Sequence, residues 1–199
     1  MIKFLNTDLV ELGGVQFGLI QELNPKRNSA GEIQQFMPQL NYSKSADSRL
    51  NLHGKGPFCK FSINLQWAGH RGVYALFSDE KLLYIGECAD LHKRYNIGYG
   101  NISPKNCFNG GQSTNCKINT MILKKYLDGK KVMLYFHETD DYKRVESILI
   151  GMFKPPYNSS GVHALTPSPT KKLKIKVRTI LILCGFSGFF FSIQCRKSD

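Results

Sequence analysis

The chain has 199 residues, with 27 Lys and Arg against 15 Asp and Glu, a net charge of +12 and a pI near 9.5. That length holds one sizeable core, or a core with a smaller added unit. The positive surplus points to a polyanionic partner, nucleic acid or an anionic membrane surface. Residues 168–199 hold seven bases and one acid, and residues 1–167 hold 20 bases and 14 acids, so half of the surplus lies in the tail. The body is then only moderately basic, which a solvated basic surface also explains. The six cysteines, at 59, 88, 107, 116, 184 and 195, form no CxxC pair and no Cys/His spacing suited to zinc. Scattered reduced thiols and a cytoplasmic protein are expected, and MIKFLNTDLVELGG lacks the apolar core of a signal peptide.

Residues 1–24 hold short apolar runs broken by Gly13, Gly14 and Gly18, which predict a strand or two. Residues 25–57 are polar and turn-rich, with Pro25, Lys26, Arg27, Lys44, Arg49, Lys55 and Pro57. This segment reads either as an arm lying on a phosphate backbone or as a surface layer. FCKFSINL, 58–65, has strand composition. Residues 72–86, GVYALFSDEKLLYIG, read as two strands joined by a tight polar turn. Side chains alternate faces along a strand. Val73, Ala75, Phe77, Leu83 and Ile85 are therefore expected on one apolar face. Tyr74 and Tyr84 are expected on the other, beside Gly72 and Gly86, which would leave that surface open. A one-residue slip would separate the two tyrosines.

ECADLHKRY, 87–95, predicts a short helix with Leu91 and Tyr95 toward the sheet and Arg94 on much the same side. Such an arginine suits bidentate contact with a phosphate, although position alone favours a surface arginine with its stem packed down. Residues 96–114 form a long irregular stretch of glycines, asparagines and a proline, and loops of that length in a compact domain are usually functional or disordered. Lys105, Asn106, Gln112, Asn115 and Lys117 are candidate DNA contacts in and beside it, since amides and lysines read base edges and grip phosphates.

CKINTMILKKYLD, 116–128, predicts a helix with Ile118, Met121, Ile122 and Tyr126 buried and Gly129 as its stop. KVMLYFH, 131–137, predicts a buried strand. Residues 140–153 predict a helix with an apolar stripe of Val145, Ile148, Leu149, Met152 and Phe153. At 3.6 residues per turn Glu146 lies on the flank of that stripe, a half-desolvated carboxylate beside the sheet. Pro155-Pro156 end the helix, and Tyr157-Asn158 follow. Residues 159–170 look like a linker, 171–178 are basic, and 179–193 are almost wholly apolar yet short of the roughly 20 residues a spanning helix needs. That tail reads as unrelated sequence, as a strand pair turning at Gly185–Gly188, or as a membrane segment.

In order and spacing, Gly72-Val73-Tyr74, Tyr84-Ile85-Gly86, Arg94, Glu146 and Asn158 resemble the GIY-YIG nuclease superfamily, with Val in place of the first Ile. The resemblance covers about residues 70–160. It implies an α+β fold, a small mixed or antiparallel sheet flanked by helices, and metal-dependent cleavage of phosphodiester bonds. The organisation expected is an N-terminal extension at 1–69, a catalytic domain at 70–160 and a linker with tail at 161–199.

The resemblance also implies roles. Glu146 would hold Mg²⁺ or Mn²⁺, and Arg94 would neutralise charge on the phosphoryl oxygens. Tyr74 or Tyr84 would orient the attacking water, and Asn158 would anchor a hydrogen bond to the site or the backbone. Many members carry a His or Tyr about one turn after the arginine. Here the fourth position is Gly98, and Tyr99 is the candidate substitute, with His92 and Lys93 nearby. The expectation is a Mg²⁺-dependent endodeoxyribonuclease acting on double-stranded DNA, most like the type II restriction enzymes, with a homodimer left open and no membrane partner. A repair or mobile-element nuclease, and a non-catalytic nucleic-acid-binding protein on the same fold, stand as alternatives.

Overall fold

The computed structural model describes residues 1–43 and 48–158. Lys44, the basic segment 171–178 and the apolar run 179–193 lie outside them. The fold is α+β and is built on one six-stranded antiparallel sheet. Its strands are β1 (Ile2–Asn6), β2 (Leu9–Leu12), β3 (Val15–Glu22), β6 (Gly72–Ser78), β7 (Lys81–Cys88) and β8 (Met133–Glu138). Their spatial order is β1-β2-β3-β8-β6-β7. Residues 1–24 therefore supply three strands, one more than the apolar runs predict, and β3 pairs with β8 beside the central hairpin. β4 (Gln35–Phe36) and β5 (Phe58–Cys59) form a separate short pair. The strand expected over 58–65 stops after two residues: beyond Cys59, Phe61 N–H donates to the Gly100 carbonyl, and Ile63 N–H donates to the Asn96 side chain, whose amide donates back to the Ile63 carbonyl.

Helices cover both faces. On one face lie α1 (Leu91–Lys93), running on into a π-helical turn at Arg94–Tyr99, and α2 (Ser113–Leu127). Leu91, Tyr95, Tyr99, Ile118, Met121 and Ile122 pack there against Tyr74, Leu76, Tyr84 and Leu134. On the other face lies α3 (Tyr142–Phe153), which covers Val73, Ala75, Phe77 and Ile85 together with Val10, Leu12 and Phe17 from the N-terminal strands. A third, smaller core joins Phe58, Ile102, Cys107, Phe108 and Cys116. It holds down the stretch expected to be irregular, in which Pro104–Cys107 forms a 3₁₀ turn.

The hairpin β6–β7 turns at Asp79-Glu80, both with positive φ, so that Ser78 pairs with Lys81. That backbone matches the twist of the strands it joins. A bulge follows at once. Phe77 pairs with Leu82 and Leu76 with Tyr84, which leaves Leu83 extra. Alternation therefore breaks where the sequence reading carries it through: Leu82, not Leu83, joins the face of Val73, and Leu83 joins the tyrosines.

Candidate active site

The bulge leaves Tyr74 and Tyr84 on the same face, offset diagonally, since Tyr74 pairs with Gly86 and Tyr84 with Leu76. Their ring centroids are 6.2 Å apart. The two glycines do not open this surface as expected. A Cβ on Gly86 would strike the hydroxyl and ring of Tyr74, and one on Gly72 would strike the carbonyl of His137. Gly86 is bare because the phenol of Tyr74 lies across it.

α1 starts later than the sequence predicts. β7 continues through Cys88, and Asp90 caps the helix by accepting from the N–H of Lys93 at 2.8 Å. The chain then widens into the π turn, in which Gly100 N–H donates to the carbonyl of Tyr95. The fifth residue after Arg94, not the fourth, thereby comes beneath it, and the Arg94 guanidinium carbon stands 5.8 Å from the Tyr99 ring centroid. Tyr99 and Tyr74 share a 2.6 Å hydrogen bond, and the Tyr84 ring lies beside that pair. Buried Asn119 of α2 fixes the segment from behind, donating to the carbonyls of Tyr99 and Cys59 at 2.7 Å.

Glu146 arrives from the opposite face. α3 is rotated from the predicted stripe: Tyr142, Val145, Leu149, Ile150 and Phe153 face the sheet, while Ile148 and Met152 are exposed. Glu146 thus falls on the Tyr142–Ile150 ridge, inside the buried arc and not at its flank. It meets the tyrosines around β7, which is the edge strand. There Glu87 joins it on the wall of the same cleft, near enough for the two carboxylates to repel.

The result is an open cleft of about 370 Å³ lined by Tyr74, Tyr84, Tyr99, Arg94, Glu146 and Glu87, with residues 111–115 forming a rim. Burial, reinforced by Glu87 and opposed by Arg94, pushes Glu146 up to about 7. Burial and the neighbouring phenols push Tyr74 well above its ordinary range, and burial with Tyr99 does the same to Tyr84. Arg94 makes no ion pair among the described residues. The cleft therefore holds an unpaired guanidinium, a carboxylate whose charge is disfavoured, and neutral phenols.

The other candidate residues divide. Asn158 does not line the cleft. It accepts from the Ile85 N–H at 2.9 Å and donates to the Ile85 carbonyl at 2.7 Å, which closes the free edge of β7. Gln112 and Asn115 lie on the rim, with Asn115 donating to Gln112 at 3.0 Å. Asn106 supports that rim by accepting from the Gln112 N–H. Exposed Lys105 and half-buried Lys117 are not among the lining residues. Sequence reasoning passes over Glu87, although an acid directly after an apolar strand core is a visible signal. It also passes over Asn119, which nothing in the helical pattern marks.

No protein-family model matches the chain, and a comparison with curated proteins finds no match. Among solved structures it is similar to a mutant of bacteriophage T4 EndoII, at 19% identity, covering 71% of this chain and 90% of that one, with a TM-score of 0.40. What the cleft can do rests on its own residues.

Proposed function

We propose that the protein is a metal-dependent endonuclease that hydrolyses phosphodiester bonds in double-stranded DNA. The observation that carries this reading is the convergence of Arg94, Glu146 and three linked tyrosines on one open cleft, delivered by elements on both faces of the sheet. The GIY-YIG resemblance of residues 70–160 agrees with it.

The donor set fits a hard divalent cation such as Mg²⁺ or Mn²⁺. Glu146 would hold it, with Glu87 adjacent, and the remaining positions would fall to water and the phosphate. The poor solvation of Glu146 supports the fit, because a cation relieves the cost of its charge. Such an ion supplies Lewis-acid polarisation of the phosphate and lowers the pKa of bound water. Arg94 binds the phosphoryl oxygens and offsets the charge that grows on them. The burial that raises Tyr74 and Tyr84 keeps them protonated near neutral pH, so they orient the attacking water by hydrogen bonds. Tyr99 positions Tyr74 through its hydroxyl and Arg94 through its ring.

The finer reading is a sequence-specific enzyme of the restriction type, with the exposed Gln112 amide, held by buried Asn115, available to base edges. Plasmid DNA incubated with the protein and Mg²⁺ tests both levels. Discrete fragments support restriction-like specificity, a smear supports a nonspecific nuclease, and intact plasmid contradicts the enzymatic reading. Arg94→Ala is expected to lower the single-turnover rate by roughly 10³-fold, and near-normal turnover would refute its role.

A further inference from the structure

On the far side of the Arg94–Asn101 segment lies a second concavity, of about 280 Å³, lined by Lys26, Lys60, Phe61, Ser62, Asn96, Gly100 and Asn101. No carboxylate lines it. Neither lysine makes an ion pair among the described residues, and the Lys60 ammonium lies 5.6 Å from the Phe36 ring centroid. A concavity lined by charge of one sign raises the local concentration of counter-ions, here anions.

The backbone around these lysines is fastened on every side. Cys59 exchanges two hydrogen bonds with the Asn119 side chain, at 2.9 and 2.7 Å. Phe61 N–H donates to the carbonyl of Gly100, and Ile63 is held by Asn96. Lys26 N–H donates to the carbonyl of Lys60 at 2.7 Å. At Gly100 any side chain would strike the Phe61 and Tyr95 carbonyls, so that wall is bare backbone. The pocket is therefore preformed, and an anion bound there is spared the cost of ordering its walls. The same rigid segment carries Arg94 and Tyr99 to the cleft, which fixes the distance between pocket and cleft.

We infer that this pocket is a second phosphate site, which grips a backbone phosphate of the duplex bound in the cleft and sets which phosphodiester reaches Arg94. The inference rests on the nuclease reading for its duplex, but not on cleavage. Lysines bound to phosphate contribute through release of counterions, so removing one such lysine makes the salt dependence of binding shallower.

The test is duplex binding by the full chain across a salt series without divalent metal. Lys26→Gln/Lys60→Gln is compared with wild type and with Lys124→Gln/Lys125→Gln, which removes the same charge from α2 outside the pocket. The pocket variant is expected to weaken binding by at least about tenfold and to lower the log–log salt slope by about one to two. Addition of duplex is also expected to shift the Gly100 and Asn101 amide resonances of wild type. Wild-type binding by the pocket variant, or an equal loss in the α2 variant, overturns the inference. So do amide shifts produced by inorganic phosphate but not by duplex, which would assign the pocket to a free anion. A wild type that binds in this way but never cuts DNA would sink the nuclease reading and leave this site standing. One that cuts while the pocket variant binds normally would do the reverse.

Discussion

Glu146 and Tyr99 are the residues on which the cleft turns, and each makes a measurable demand. Burial raises the pKa of Glu146 to about 7 in the folded protein, above that of an ordinary carboxylate in the unfolded chain. Between those values the folded state holds a proton that the unfolded state has released. Stability from this group is therefore full in acid and declines as the pH rises through 7. Glu146→Gln removes the penalty. Without metal, the variant is expected to melt higher than wild type at pH 8 and alike near pH 4, and added Mg²⁺ is expected to raise only the wild type. Parallel melting curves at all pH values would contradict this environment for Glu146. Tyr99→Phe leaves the buried Tyr74 hydroxyl without its partner. It is expected to cost about 1–3 kcal/mol in denaturant unfolding and to slow cleavage of DNA with little change in binding.

Among the elements, β7 carries the heaviest constraint, because it is both the edge of the sheet and the meeting line of two helical layers. Unpaired edges invite slippage and association, and the chain answers by returning after α3. Tyr157 N–H donates to the Leu83 carbonyl, and Asn158 takes both groups of Ile85. Asn158→Ala is therefore expected to destabilise the fold by about 1–2 kcal/mol and to speed hydrogen exchange at Ile85, while Mg²⁺ affinity stays near that of wild type. A large loss of metal affinity with unchanged exchange would instead place Asn158 in the chemistry. At the π turn, π bulges are known to accompany functional sites, and here the five-residue spacing selects Tyr99 over Gly98. No propensity marks that turn in the sequence, whereas the helix itself is legible from Leu91 and Tyr95.

For the molecule as a whole, the most legible parts are those governed by short-range periodicity. The hairpin tyrosines, α2, β8 and the existence of α3 follow from alternation and from 3.6-residue spacing. Harder to see are features that depend on long-range partners. The Leu83 bulge follows from the Asp79-Glu80 turn and the pairing beyond it, and the rotation of α3 depends on which strands it covers. Strands β1–β3 come from a stretch with no chemistry of its own, yet Val10, Leu12 and Phe17 complete the layer beneath α3. Glu87 is visible in the sequence as an acid after a strand core, but its partner is not, because Glu146 meets it only when α3 comes around the edge of β7.

The central claim is that one cleft, with Glu146 holding the metal and Arg94 facing the phosphate, cuts DNA. The most direct measurement compares wild type with Glu146→Ala on the same duplex, following cleavage with Mg²⁺ and binding without it. The account predicts Mg²⁺-dependent cutting by wild type, none by Glu146→Ala, and near-equal binding by the two. Persistent cutting by Glu146→Ala would contradict it.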